Sequence, residues 1–540
     1  MHETLVQIAR DLEIRMEFGE AARAEVRAFG ANSGIDAPGL EDLTALPFVT
    51  IDGPTSKDLD QAIFVKRSGS SYEVWYALAD AAHFVPTSGA LFEESLLRGA
   101  SYYFPGFSVP MLPRELSEGL ISLNPRVDRR ALVFVCHLDE RAAVERTRVV
   151  RGRIRSRAKL TFGGVQELYD DPKHSPLAAE PYAESLELLR EVGEKRLALA
   201  EGADVVRYRR REIEVKLASP EASSGKGPAA EAGFVVLEAA RLGVESYNEQ
   251  ISVLVNREGG RLLSESRDPR LQPIYRVHPA PDPEKLEALR ALTRGLAAVH
   301  RLEAPRFVLH EGESLNAFLR RLPSRDATGE GTSRITRAIE RQAVLVNMRS
   351  GFSTEAARHF GVGAEVYARF SAPMREVVGI FLHKEMLELL GLAPHAVDAV
   401  DVALRERVVE AANRARELQR KVNDQTNRLV LEQLLSPDLA QRERPARRGT
   451  VMGITASKLH VELDTPGLDV KVYVRDLGKQ LGGVWLDLVH DGAALVRRDT
   501  KEPICAVGDD VDVRVVSKDK GQDRWVLAVS RRGPQGLSIA

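Results

Sequence analysis

Apolar residues recur at helical spacing in "TLVQIARDLEIRMEF" and "AARAEVRAF", so residues 1 to about 45 read as helical, closed by the Gly/Pro-rich "GANSGIDAPGLEDL". From "PFVTID" onward the pattern turns to alternation. "AIFVKR" and "SYEVWYALADAAHFV" predict a hairpin that leads into a helix, and "ALVFVCHLDE" and "RVVRGRIRSRA" predict two further strands. Helical spacing returns in "SLELLREVGEKRLALAE", in "VVLEAARLGVESYNEQISVLVN", and in the long run from "AVDVALRERVV" to "RLVLEQLL". Between the strand-like "EIEVKL" and the second of these helices lies "LASPEASSGKGPAAEAG", a low-complexity stretch read as a loop inside a domain. Near the C-terminus, "TVMGITASKLHVELD", "LDVKVYVRDL", "WLDLVHDGAALVRR", "DDVDVRVVSKD" and "RWVLAVS" predict five short strands with turn residues between them. That spacing suits a five-stranded barrel of OB type.

These patterns describe an α+β chain with an N-terminal helical segment (1–45), a central domain (46–435), a linker (436–448) and a C-terminal barrel (449–535). A chain of 540 residues exceeds one ordinary core, which agrees with several domains. With two cysteines, Cys136 and Cys505, far apart in sequence, a disulfide framework is excluded and a reducing, cytoplasmic setting is expected. The first residues carry no signal-peptide pattern and no segment has the apolar length of a membrane span, so no membrane partner is expected.

The net charge of −2 does not advertise a polyanion partner; the local distribution says more. Arg151, Arg153, Arg155, Arg157 and Lys159 fall on every second residue, which on a strand puts five cations on one face. Such a stripe is either solvated surface or a track for a phosphate backbone. Further basic clusters are "RYRRR" (207–211) and "RERPARR" (442–448), the second read first as linker.

Asp52, Asp58 and Asp60 stand at D-x5-D-x-D spacing after the strand "FVTI". Three carboxylates on one loop suit a hard divalent cation such as magnesium, which takes oxygen ligands and completes its shell with water and phosphate. The same residues are also ordinary turn and cap formers, and spacing alone leaves the two readings level. An EF-hand is excluded, because neither its loop glycine nor its closing glutamate is present.

The wider company of this loop decides between them. "TIDGPTSKDLDQAIFV", "YALADAAHFV", "RGASYYFPGFSVPMLPRELSEGLISLNP" and "STEAARHFGVGAEVYARFSAPMRE", in this order, closely resemble the catalytic domain of the ribonuclease II / ribonuclease R (RNB-domain) exoribonuclease family over residues 46 to about 435. The C-terminal barrel resembles the OB-fold RNA-binding domain carried by that family at the same end. The resemblance implies a mixed α/β RNB-type nuclease domain and hydrolytic, processive 3′-to-5′ degradation of single-stranded RNA to nucleoside 5′-monophosphates, a role in RNA and mRNA decay. Its implied cofactor is magnesium, with manganese as a substitute, and its partner is single-stranded RNA with no obligate protein partner. Carried over residue by residue, Asp52, Asp58 and Asp60 take metal-binding positions, and Asp60 and Arg375 are the expected catalytic residues. Tyr103, Gln61 and Phe162 take substrate-binding positions. His359, Tyr367 and Asn256 lie on the matched segments as structural or channel-lining groups. The alternative reading is a catalytically weakened relative that only holds single-stranded RNA.

Several positions depart from the family pattern. Gln61 stands where many relatives have a fourth aspartate, and Phe162 where a tyrosine is usual, which puts selection for the ribose 2′-hydroxyl in doubt. Glu376, Val377 and Gly379 replace a base, an aromatic and an aspartate. Lys421 or Val422 falls where a catalytic-site glutamate often sits. Only the short helical segment precedes the nuclease region and "SRRGPQGLSIA" lacks a strongly basic tail, so weaker RNA anchoring and poor activity on duplexes are expected.

Overall fold

In a computed structural model the described residues are 1–30, 32, 34–206, 208, 212–218, 233–239, 241–323, 329–394 and 398–532. Most of the "RYRRR" cluster, the low-complexity stretch 219–232 and the tail 533–540 lie outside them. The chain forms two units: Met1–Val205 with Arg241–Pro279 and Ser350–Gln425, and Val206–Ala240 with Ala280–Arg349 and Thr426–Ala540.

The first unit is built on a five-stranded sheet in the order Glu41–Asp42, Val144–Arg155, Asp128–Leu138, Ser71–Ala79, Gln61–Ser68. The expected hairpin is present, with Gln61–Ser68 antiparallel to Ser71–Ala79, followed by the short helix Ala81–Phe84. "ALVFVC" is an unbroken apolar run rather than an alternation because its strand is central and buried along nearly its whole length. The helices Ala183–Gly202, Gly243–Glu265 and Val377–Leu389 contribute to the same apolar core. Beside this sheet, the short strand Thr50–Asp52 pairs in parallel with Lys159–Thr161. That pair delivers the aspartate loop from one strand and Phe162 from the other, where Thr161 caps the helix Phe162–Asp170.

Two expectations are corrected. "VVLEAA" does not begin a helix: Phe234–Ala239 is a strand, antiparallel to Glu212–Leu217, and the helix starts at Gly243. The β-branched, locally alternating start of that segment outweighs the helical spacing that follows it. Among the described residues the C-terminal region has eight strands and a helix rather than five strands, because two of the five segments fold back on themselves as hairpins, one of the strands comes from "PICA", and "VRDLGKQ" is helical. Its main sheet does have five antiparallel strands, in the order Asp469–Tyr473, Lys458–Leu463, Arg447–Ile454, Asp510–Asp519, Arg524–Arg531, as an OB-type domain requires. The two outer strands also approach each other, so the sheet curls toward closure.

Candidate active site

Asp52, Asp58 and Asp60 are brought together from above and below one loop. Ser122, in "GLISLNP", holds the loop's middle: its Oγ accepts from the Leu59 N–H (3.0 Å) and donates to the Lys57 carbonyl (2.7 Å). From the other side the Lys159 ammonium donates to the carbonyls of Pro54 (3.0 Å) and Ser56. Asp52 keeps one oxygen for the turn, accepting from Gly53 N–H (2.7 Å) and Ser56 Oγ (2.9 Å), and turns Oδ2 inward. The turn-residue and ligand readings therefore describe two oxygens of the same side chain.

The Oδ2 atoms of all three acids converge on one cation, Arg375, at 3.1 Å for Asp52, 3.1 Å for Asp58 and 2.9 Å for Asp60. Asp60 is the buried member, with its side chain 4% exposed against 28% and 30% for the others, and its Oδ1 accepts from the Met374 N–H (3.0 Å). Burial pushes the Asp60 carboxyl up to about 7, although Arg375 and the Met374 N–H pull the other way. For Arg375, burial opposes the charge but the acids, Asp60 foremost, outweigh it and hold the guanidinium protonated. Its Nε is buried within ion-pair reach of Asp58 and Asp60 yet forms no hydrogen bond. Three hard carboxylates are the donor set a divalent cation takes, and here their shared counter-charge is the Arg375 guanidinium, which meets Asp52 through Nη2 and Asp58 and Asp60 through Nε, so a metal would have to share the acids with it.

The segment that carries Arg375 is fixed by Asn256, which is fully buried. Its Oδ1 accepts from the N–H groups of Phe370 (2.7 Å) and Ser371 (3.1 Å), and its Nδ2 donates to Tyr367 Oη (3.0 Å) and Ser371 Oγ (2.9 Å). Every donor and acceptor of the amide is used, so Asn256 is a positioning group. His359 packs against His278 and Tyr367 behind the same segment. Gly259 admits it closely: a Cβ there would lie 2.4 Å from the Phe370 ring. Gly379 does the same from the following helix, 2.7 Å from Pro373 Cα, which explains why no larger residue stands there.

Gln61 lines the cavity but spends both ends of its amide on the protein. Nε2 donates to the Ser371 carbonyl and Oε1 accepts from Tyr76 Oη. The glutamine thus ties the first strand of the hairpin to the Arg375 segment. Tyr103 has a half-exposed ring and a backbone gripped by Gln419, whose Oε1 accepts from its N–H (2.9 Å) and whose Nε2 donates to its carbonyl (3.0 Å). Phe162 lines the same cavity, whose volume is about 430 Å³.

Sequence reasoning missed part of this wall. In the helix Asp398–Ala440, the cavity meets Ala412, Ala415, Arg416 and Gln419, not Lys421 or Val422; Val422 is fully buried. The spacing i, i+3, i+4, i+7 of those four was the available signal. Arg369 was also passed over, although it lies inside a matched motif and pairs with Glu376 at 3.3 Å. The five-cation stripe is placed on the sheet and its edge, but each member is engaged by the protein: Arg151 with Asp80, Arg153 with Asp42, Arg155 with Asp128, and Arg157 and Lys159 with loop carbonyls. Of the two readings left open by the sequence, these partners favour ordinary paired surface. Glu385, Glu388 and Asp401 form another carboxylate cluster, buried and away from the cavity, whose counter-charge is the Lys384 ammonium at 2.7, 2.9 and 2.5 Å, as Arg375 is for the aspartates.

The RNB domain profile matches residues 40–390. Among curated proteins, ribonuclease R of Escherichia coli (strain K12) is 25% identical over 516 residues, 92% of this chain and 58% of that one. Ribonuclease R of Vibrio parahaemolyticus is 27% identical over 72% of this chain and 44% of its own, and exoribonuclease 2 of Shigella boydii is 29% identical over 68% and 54%. The chain thus spans about half the length of the curated relatives it matches. Among solved structures, Mycoplasma genitalium RNase R in complex with ribose-methylated single-stranded RNA superposes with a TM-score of 0.80 at 20% identity, over 97% of this chain and 77% of that one. Yeast Ssd1, described as a pseudonuclease, superposes with a TM-score of 0.63 at 13% identity, over 86% and 53%.

Proposed function

This chain belongs to the RNB-domain family, and from that premise we propose that it is a divalent-cation-dependent 3′-to-5′ exoribonuclease that shortens single-stranded RNA processively to nucleoside 5′-monophosphates. The observation that carries the reading is the convergence of Asp52, Asp58 and Asp60 on the point held by Arg375. Magnesium, or manganese in its place, would be held by these three carboxylates and would supply Lewis-acid activation of water and of the phosphodiester. The remaining work falls to side chains of this chain. Arg375 presents a fixed guanidinium fork to the scissile phosphate and balances the charge that grows on it. Tyr103, anchored through its backbone, offers its ring to the terminal base, and stacking of this kind suits any sequence because every base has a π-face. Ser122 and Lys159 keep the aspartate loop in place, and Asn256 and Gln61 do the same for the Arg375 segment. We assign the barrel from residue 449 to RNA binding and the region 46–435 to hydrolysis.

The test is 5′-labelled single-stranded RNA incubated with wild-type and Asp60→Asn protein, in magnesium or EDTA. The expected result is magnesium-dependent shortening from the 3′ end that the variant loses by about 10²-fold or more, the scale of removing one group that acts in the transition state. RNA binding without shortening in either protein would instead establish the weakened relative, a reading favoured by Gln61, whose amide adds no charge to the acidic set.

A further inference from the structure

The cavity has two electrostatic poles. At one, three aspartates surround Arg375. At the other, three arginines gather around one carboxylate. Arg369 pairs with Glu376, Arg416 donates to the Ser350 carbonyl and Oγ, and Arg276 donates to the same Ser350 Oγ at 3.1 Å while its guanidinium stacks on Phe352 at 4.8 Å. Neither Arg276 nor Arg416 has a carboxylate within ion-pair distance among the described residues, and Glu376 is the acid that faces both. Burial, and after it the charge of Arg416, brings Arg276 down to about 10; burial likewise lowers Arg416. Three cations against one acid leave two positive charges uncompensated in a partly desolvated wall. Such an arrangement is costly unless an anion completes it.

Arg369 and Arg416 line the cavity that Asp60 and Arg375 also line. Two planar forks on one wall suit an oxyanion with several acceptor oxygens, as a phosphodiester has. We propose that Arg369 and Arg416 seat a second backbone phosphate of the RNA, the one immediately 5′ of the scissile linkage, with Arg276 as a positioning residue that holds Arg416 through Ser350. This rests on the exoribonuclease reading and adds to it the point at which the strand is gripped beside the bond to be cut. The exchange of charge between Arg369 and Glu376 belongs to the same device. Glu376, next to Arg375, holds Arg369 at 3.3 Å and so fixes one of the cations of this pole.

The experiment is fluorescence anisotropy of 5′-labelled single-stranded RNA in EDTA, across a range of salt, with either natural RNA or RNA carrying one neutral methylphosphonate at the linkage 5′ of the terminal one. For wild type the methylphosphonate weakens binding about tenfold, the scale of losing a charge-assisted contact, and lowers the salt slope by about 0.7. Arg416→Gln and Arg369→Gln weaken binding of natural RNA to a similar extent and are then indifferent to the methylphosphonate, while Arg416→Lys recovers part of the affinity. Arg276→Gln also reduces the methylphosphonate penalty, where a merely structural role would lower the melting temperature and leave that penalty intact. A wild-type protein that binds natural and modified RNA equally, or folded arginine variants that retain the full penalty, overturns the phosphate seat and leaves the nuclease reading standing. A wild-type protein without salt-dependent RNA affinity overturns both.

Discussion

Replacing Gln61 by aspartate restores the acid that many relatives carry, and the structure gives a reason to expect harm from it. The glutamine amide is a strut: Nε2 donates to the Ser371 carbonyl four residues before Arg375, and Oε1 receives the hydroxyl of the fully buried Tyr76. Aspartate is one methylene shorter and has no N–H to give. The Ser371 carbonyl would lose its partner, and a new negative charge would appear next to Asp60, whose ionisation burial already delays to about pH 7. An unpaired buried carbonyl and an added like charge together cost about 2 to 4 kcal/mol. If half of that loss falls on the placement of Arg375, kcat drops about tenfold, since about 1.4 kcal/mol is a factor of ten. The assay is single-turnover shortening of labelled RNA at saturating enzyme and magnesium, with a urea melt of each variant. Gln61→Asp should be both slower and less stable, and Gln61→Glu, which keeps the length but not the donor, should fall between. An aspartate variant that is faster than wild type with an unchanged melt would refute this account and show that the position is a ligand seat left empty by the glutamine.

Two further outcomes follow from buried polar groups. Asn256→Ala leaves the N–H groups of Phe370 and Ser371 unpaired, so stability in urea should fall by about 3 kcal/mol and activity should drop through displacement of Arg375; Asn256→Asp, which keeps the oxygen that accepts from both, should lose less. His383 is fully buried with Nε2 3.1 Å from the Phe370 carbonyl, and burial holds its pKa at about 4 against an ordinary 6.5. The unfolded chain takes up the proton first, so stability is intact above pH 6.5 and is lost as pH falls toward 4, by up to about 3 kcal/mol. Urea melts across that range without divalent cations should show a shallower slope in His383→Gln than in wild type, the remainder coming from His83 and His359, which burial also holds at about 4.

Legibility followed the length scale of the forces involved. The hairpin, the central strands and the long helices were readable because each is decided by a local period and a buried face. Asp52, Asp58, Asp60 and Arg375 stood out because their motifs are compact and unusual, and the structure brings the four side chains together. Phe234–Ala239 was misread because six residues of strand abut a helix and share its apolar character, so that only the partner strand settles the matter. The higher count of barrel strands, eight against five, arose in part where a turn such as "TASK" hides within an alternating run. Arg276, Arg369, Arg416 and Gln419 escaped because arginine and glutamine are ordinary surface residues until a fold turns them inward, and nothing near them in sequence reports that. For the basic stripe the sequence left two readings open, because its partners, Asp42, Asp80 and Asp128, lie on other parts of the chain.

Arg375 is a tethered counter-ion for three acids that would otherwise repel one another. The site can therefore assemble during folding with no ion supplied from outside, which frees synthesis of the protein from the metal supply of its surroundings. The same tether sets an order on how the site can decay in evolution. Losing the arginine first strands three carboxylates, one of them buried, with no cation between them, whereas losing an aspartate first lessens the repulsion that the arginine offsets. A lineage that abandons cleavage while keeping this fold should shed its aspartates before its arginine.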